Sequence, residues 1–375
     1  MNAPTPDGPP FRADHVGSLL RPPHLLEARA RFAAGELDAA GLRAVEDEAI
    51  DEVVRLQADV GLHTATDGEF RRASWHMDFI HSIGGIEKVQ ENITVHFRNA
   101  DGSLDFTPAG LRVTGPLSID EPVFADDFAH LQGAVQPEQT AKLTIPSPSM
   151  VHYRGGAAAV DPAVYPDEDS FWDALSAAYR QQVQGIAAQG CRYLQLDDTS
   201  LAYLNDPAQR AQLATQGRDA EHQHERYIAQ INAALAGRPD DLTVTTHLCR
   251  GNFRSSWAAE GSYDFVAEAL FGGLEVDGFF LEFDDERSGG FEPLRFVPPG
   301  KRVVLGLVTT KRPELESADD LKRRIDEAAR YVPLEQLALS PQCGFSSTVE
   351  GNALTREDQV AKLELVVQVA AQVWG

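Results

Sequence analysis

The sequence predicts an α/β fold of the (β/α)8, or TIM barrel, type. Two observations lead there. From Phe11 onward, short β-type runs alternate with longer amphipathic helical patterns. Eight such runs can be counted, and eight βα repeats favour a closed barrel over an open sheet. A barrel of about 250 residues leaves length over in a chain of 375.

Residues 1–10 are rich in proline and polar residues without periodicity and read as a loose leader, so the fold is expected to start at Phe11. The strand runs end near Ser18 (FRADHVGS), Asp67 (HTATD), Pro146 (KLTIP), Asp197 (RYLQLD), His247 (LTVTTH), Glu282 (GFFLE), Val308 (RVVLGLV) and Ser340 (QLALS). Helices are expected over 42–60, 170–189, 219–236, 319–331 and 355–373, where apolar residues recur at three- and four-residue spacing. One extra helix precedes Leu42. Residues 91–120 read as a β-hairpin turning at 99–102 and inserted between the second and third strands. No repeat or low-complexity linker marks a second domain, so residues 11–375 are read as one catalytic barrel.

Lys and Arg total 33 against 57 Asp and Glu, a net charge of -24, and no basic run is present to track phosphates. Nucleic acid is therefore not an expected partner. No stretch approaches the roughly 20 apolar residues that span a bilayer, and the start lacks signal-peptide character, so a cytoplasmic protein is expected. Three cysteines, Cys191, Cys249 and Cys343, are too few for a disulfide framework and are expected as thiols. Cys191 opens its strand and is read as a buried filler.

In a barrel the functional groups gather where strands end. At those ends stand Ser18, Asp67, Glu69, Ser147, Ser149, Asp197, Asp198, His247, Cys249, Glu282 and Cys343. His247 and Cys249 are two residues apart, and the period of an extended chain points both to one side. Alone, that triplet is more often a pair of satisfied core residues than a metal site. Cys343 lies just past the last strand in SPQCGF, beside Gly344, which frees the backbone there. Glu282 closes an apolar run and needs a partner, either a metal or a cation such as Arg250 or Arg287. One imidazole, two thiols and one carboxylate suit zinc better than magnesium, calcium or a redox iron centre. Two thiolates and a carboxylate leave such a site at about minus one, poor for polarising a carbonyl but suited to keeping a bound thiol deprotonated and nucleophilic.

The motifs HVGS (15–18), TDGEFRR (66–72), LQLDD (194–198), THLC (246–249), FFLEF (279–283) and PQCG (341–344), in this order, resemble the catalytic domain of cobalamin-independent methionine synthase in its short single-barrel relatives. The resemblance implies zinc held by His247, Cys249, Glu282 and Cys343. It further implies that Ser18, Glu69 and Asp197 hold the amino-acid part of a homocysteine-like thiol for methyl transfer, as in methionine biosynthesis. Three departures stand out. Where the family's synthases have a histidine that protonates the leaving folate nitrogen, this sequence places Val308, and the tryptophan that stacks on the pterin is replaced by His152 and Tyr153 in PSPSMVHY. The repeat-like N-terminal half of the long enzymes has no counterpart in these 375 residues. All three weaken folate as the donor, and no residue is assigned as the proton donor. The expected partners are thus a small-molecule thiol and a methyl donor, with homo-oligomerisation left open. Three alternatives remain: a thiol alkyltransferase of the epoxyalkane:coenzyme M transferase type, a decarboxylase resembling uroporphyrinogen decarboxylase, and a zinc-stabilised barrel without catalysis.

Overall fold

A computed structural model describes residues 8–90, 95–99, 102–106, 110–153 and 155–375. Its strands are β1 (Thr64–Ala65), β2 (Gly84–Val89), β3 (Val95–Asn99), β4 (Gly102–Phe106), β5 (Gly110–Ser118), β6 (Thr140–Pro146), β7 (Tyr193–Asp198), β8 (Thr243–Leu248), β9 (Gly278–Glu282), β10 (Arg302–Val308) and β11 (Leu337–Pro341). Seven of them form one parallel sheet in the order β1-β6-β7-β8-β9-β10-β11. Helices connect successive strands, giving a TIM-barrel-like α/β fold. Among the described residues, no helix is long and apolar enough to cross a membrane.

The helices follow the apolar periodicity, and their ends follow local capping. Helix Glu168–Ala188 starts where the Asp167 side chain accepts from Ser170 N, and it buries Phe171, Leu175, Tyr179, Val183 and Ile186 along one stripe. Helix Arg356–Trp374 opens with a reciprocal capping box between Thr355 and Asp358. Helix Gln223–Leu235 begins four residues later than its sequence pattern. The Asp219 carboxylate accepts from the N–H groups of Glu221 and His222 and forms a local turn that delays the helix.

The expected first strand at 11–18 does not form. The Asp14 carboxylate accepts from the N–H of Phe11 at 3.1 Å and of His15 at 2.7 Å, using donors that a ladder would need. The segment still occupies the gap between the sheet edges. Ala13 makes an isolated parallel bridge to Leu339 of β11. On the other side, Leu19 N donates to Gly68 O at 3.1 Å and Thr66 Oγ1 to Gly17 O at 2.6 Å. Gly8 and Pro10, which fall in the expected leader, offer their carbonyls to Arg302; residues 1–7 lie outside the described residues.

Between β1 and β6 the chain makes two antiparallel pairs, β2 with β5 and β3 with β4, the second in register Val95↔Phe106 to Asn99↔Gly102. Ala100 and Asp101 of the expected turn lie outside the described residues. The pairing of β2, which precedes residue 91, was not anticipated from the sequence.

Alternation along the sheet strands separates two environments. Leu194, Leu196, Val244, Leu248, Phe279 and Leu281 join the large apolar core shared with the helices. Phe280, Val304 and Ala338, from positions of opposite parity in their strands, form a separate small cluster with Val16. Beside it sits a buried polar network. The Lys142 ammonium donates to Asp14 Oδ1 at 3.2 Å, to Gln195 Oε1 at 3.0 Å and to the His15 carbonyl, while Tyr193 Oη donates to Asp14 Oδ2 at 2.9 Å.

Burial, reinforced by the charge of Lys142, pushes His15 down to about 4 from its ordinary 6.5. Below pH 6.5 the unfolded chain therefore binds this proton more readily than the folded one. The contribution is complete above about pH 6.5 and is lost as pH falls to about 4, a change of about 3 kcal/mol. Urea midpoints measured between pH 7 and pH 4 are expected to show this dependence in wild type and to lose that portion of it in His15→Gln.

Candidate metal centre

Strand register assembles the site. Asp197 of β7 is paired with His247 of β8, and Leu248 with Leu281 of β9. The residues next along, Cys249 and Glu282, consequently meet one step above His247. Cys343 arrives just after β11. One ligand atom from each of His247, Cys249, Glu282 and Cys343 can be chosen so that all lie within 4.8 Å of one another, and all four residues are buried.

The donor set fits a soft divalent ion. The Cys249 and Cys343 sulfurs are 3.5 Å apart, close to the roughly 3.8 Å edge of a tetrahedron with 2.3 Å metal–sulfur bonds. Neither buried ring nitrogen of His247 makes a geometrically sound hydrogen bond, which leaves a lone pair for coordination. Glu282 has a cation partner, one of the two kinds its sequence position called for. Its Oε1 accepts from the Arg250 N–H at 2.7 Å and its Oε2 pairs with Arg287 at 3.0 Å, while it remains inside the cluster.

The surroundings favour ionisation of Glu282 and of one of the two thiols. Burial opposes ionisation of Glu282, yet Lys311, Arg287 and Arg250 outweigh it and lower its pKa. Cys343 is held well below the usual thiol range because Cys249 donates to it, against burial and with help from His247. Cys249 is raised correspondingly by Cys343 and by burial. Burial alone would lower His247; Cys343, Asp197 and Glu282 reverse that and raise it.

Above the cluster opens a cavity whose lining includes Ser18, Glu69, Asp197, His247, Cys249 and Cys343. Glu69 adopts a left-handed backbone conformation with φ of 61°, uncommon for a residue with a side chain. It is fixed there by its N–H donating to Asp67 Oδ1 at 2.8 Å and by Arg21 donating to its carbonyl. Its Oε1 accepts from Thr144 Oγ1 at 2.7 Å. Burial raises Glu69 despite Arg72, and raises Asp197 to about 7 despite His247. Asp197 Oδ1 accepts from Gln195 at 2.7 Å.

Other polar strand-end residues serve the scaffold. Asp198 accepts from Ser147, Ser149, Ser200 and the Leu201 N–H, so its oxygens are occupied. His152 and Tyr153 do not reach the cavity. They lie on the short helix Ser149–Tyr153, where His152 packs 5.0 Å from the Trp172 ring and lies 3.1 Å from Tyr227 Oη. Val308 is buried at the end of β10, and the charged group nearest the cluster from that segment is Lys311, whose buried Nζ has no hydrogen-bond partner. The aromatic residues that do line the cavity include Trp75, Phe97, Phe106 and Phe253. A tryptophan in a loop and two phenylalanines in an inserted strand pair carry no local signal of that role.

Residues 11–372 match the family described as cobalamin-independent synthase, catalytic domain. The chain belongs to this family. A Bacillus subtilis member, the uncharacterized protein YxjG, is 47% identical over 98% of this chain and 95% of its own length. A Pyrococcus abyssi methionine synthase is 23% identical over 88% of this chain and 85% of its own. In structure, a candidate vitamin-B12 independent methionine synthase from Listeria monocytogenes superposes with a TM-score of 0.77 at 38% identity, covering 98% of both chains. Membership makes this a methyltransferase of the methionine synthase family.

The glycine of the PQCG segment (341–344) has a geometric reason. A methyl group on Gly344 would come 2.0 Å from Ser18 Oγ, so glycine lets the Cys343 loop lie against the Ser18 segment. Gly344→Ala is expected to cost about 1–3 kcal/mol by displacing Ser18. Adding Ser18→Ala is expected to recover most of it in thermal unfolding; a double variant as unstable as the single one would assign the cost elsewhere.

Proposed function

We propose that this protein transfers a methyl group to a homocysteine-like thiol at a zinc site formed by His247, Cys249, Glu282 and Cys343. The observation that carries this reading is the convergence of those four donors beneath a cavity that also holds Ser18, Glu69 and Asp197. A zinc ion held there supplies a centre at which a thiol is deprotonated near neutral pH while its sulfur stays nucleophilic.

The remaining work falls to the chain. Glu69 and Asp197 are two buried carboxylates; Arg72 pairs with Glu69 at 3.4 Å, and a substrate ammonium would be the matching charge for the pair as a whole. Ser18 Oγ, near the Cys343 loop, is placed to donate to the substrate carboxylate. Thr144 and Gln195 hold the two carboxylates in position, so the thiol would be presented in one orientation. Arg250 and Arg287 keep Glu282 ionised for coordination. On this reading residues 11–375 act as one catalytic barrel, and the two ligand cysteines suit a reducing, cytoplasmic setting.

The acidic cavity disfavours the sulfonate of a coenzyme M-type thiol, because Glu69 and Asp197 would repel it. The cavity opening onto the cluster also disfavours a purely structural ion, whose ligands would close the site.

Purified protein is expected to hold one zinc per chain, lost in Cys343→Ala, and X-ray absorption is expected to show one additional sulfur neighbour on adding L-homocysteine. Folded wild type without zinc would refute the site; zinc indifferent to homocysteine would refute the thiol.

A further inference from the structure

The cavity has an aromatic portion that the amino-acid thiol does not require. Strands β3 and β4 deliver Phe97 and Phe106, whose rings pack on Phe253 with centroids 5.5 and 4.5 Å away. Trp75 stacks on His76 at 4.3 Å, and all five side chains line the cavity. This strand pair is fastened in place. Arg98 N donates to Trp257 O at 2.7 Å, Trp257 N returns to Arg98 O at 2.9 Å, and Asn99 Nδ2 donates to Ser256 Oγ at 3.0 Å. Phe253 and Trp257 stand in the loop that follows Cys249, so the aromatic lining and the ligand cluster share one backbone segment.

Charge selects among possible occupants. Among the described residues lining the cavity there is no lysine or arginine, whereas Glu69 and Asp197 are present; Arg72, behind the lining, pairs with Glu69 at 3.4 Å, against two carboxylates. A donor bearing several carboxylates would meet like charge and apolar walls, both unfavourable. A compact organic cation would meet an aromatic lining, which attracts positive charge, beside the two carboxylates; the guanidinium of Arg254 already stands 5.5 Å from the Phe253 ring.

Resting on the methyl-transfer reading, we propose that the aromatic lining binds a small onium methyl donor, a sulfonium or quaternary ammonium compound. The reaction balances without further reagents. The thiolate sulfur forms a bond to the methyl carbon as the methyl–sulfonium or methyl–ammonium bond breaks. The electron pair of that bond stays on the departing atom, leaving a neutral sulfide or amine and a neutral thioether. The thiol's own proton is the only one released. The leaving group needs no proton, so the reaction makes no demand for an acid where β10 ends in Val308.

The first test is calorimetric, on the zinc-loaded protein with choline and with its uncharged carbon isostere, 3,3-dimethylbutan-1-ol. Choline is expected to bind about tenfold more tightly. Phe106→Leu and Trp75→Leu, which keep apolar bulk but change the ring surface, are expected to reduce that preference several-fold while homocysteine binding is retained. Equal binding of the two probes, or a preference untouched in both variants, overturns the proposal. In the second test, L-homocysteine is combined with S-methyl-L-methionine, glycine betaine or methyltetrahydropteroyltriglutamate. Methionine formed from an onium donor supports the proposal. Methionine formed only from the pterin overturns it and leaves methyl transfer standing; failure of homocysteine to bind at all instead brings down the underlying reading.

Discussion

One buried ammonium, on Lys142, stands where several parts of the molecule meet. Burial lowers its pKa and would expel the charge were Asp14 not beside it. Its hydrogen bonds reach Asp14, the His15 carbonyl and Gln195, and the Phe280 ring lies 4.4 Å from the ammonium. Through Asp14 it secures the segment that fills the gap between the sheet edges, and through Gln195 it reaches the Val16 carbonyl and Asp197. The interior of the curled sheet is thereby tied to the cavity above it. A network of this kind is stabilising only when every member is satisfied, which explains why so many polar groups can be buried together here.

The candidate metal centre depends on a second balance. Two thiols, a carboxylate and nearby Asp197 would make a strongly negative pocket. Arg287 pairs with Glu282 directly, the Arg250 N–H supports its other oxygen, and Lys311 adds positive potential without a direct bond. These cations moderate the charge of the donor set while leaving the carboxylates of the substrate region free of a lysine or arginine in the cavity lining. At the other end Arg72, which is not part of the lining, pairs with Glu69 at 3.4 Å, so two carboxylates there share one paired arginine.

The ligand residues were legible because strand periodicity is local: His247 and Cys249 share parity, and Glu282 ends an apolar run that reads as a strand without reference to the rest of the chain. The segment 11–18 misled because its β-type pattern is real, but the Asp14 carboxylate captures the N–H groups of Phe11 and His15. His152 and Tyr153 misled because the helix over 149–153 carries them away from the cavity. Lys311 was passed over because β10 shifts register between Gly306 and Val308, and the group that matters lies three residues past the strand end. Phe97 and Phe106 depend on a bridge from Arg98 to Trp257, a pairing across more than 150 positions that no local pattern encodes.

Ser18 and Cys343 sit on the same cavity although more than 320 positions separate them. The backbone contacts that align them, Ala13 with Leu339 and Phe345 N with Ser18 O, close loops of more than 320 residues. Contacts of such long range form late in folding, because their loop-closure entropy must be met before they contribute. Until they form, neither the gap in the sheet nor the fourth position of the donor cluster is filled. The cluster is therefore completed by closure of the whole sheet and not by any local hairpin, and a chain cut before Leu337–Pro341 would lack Cys343 altogether.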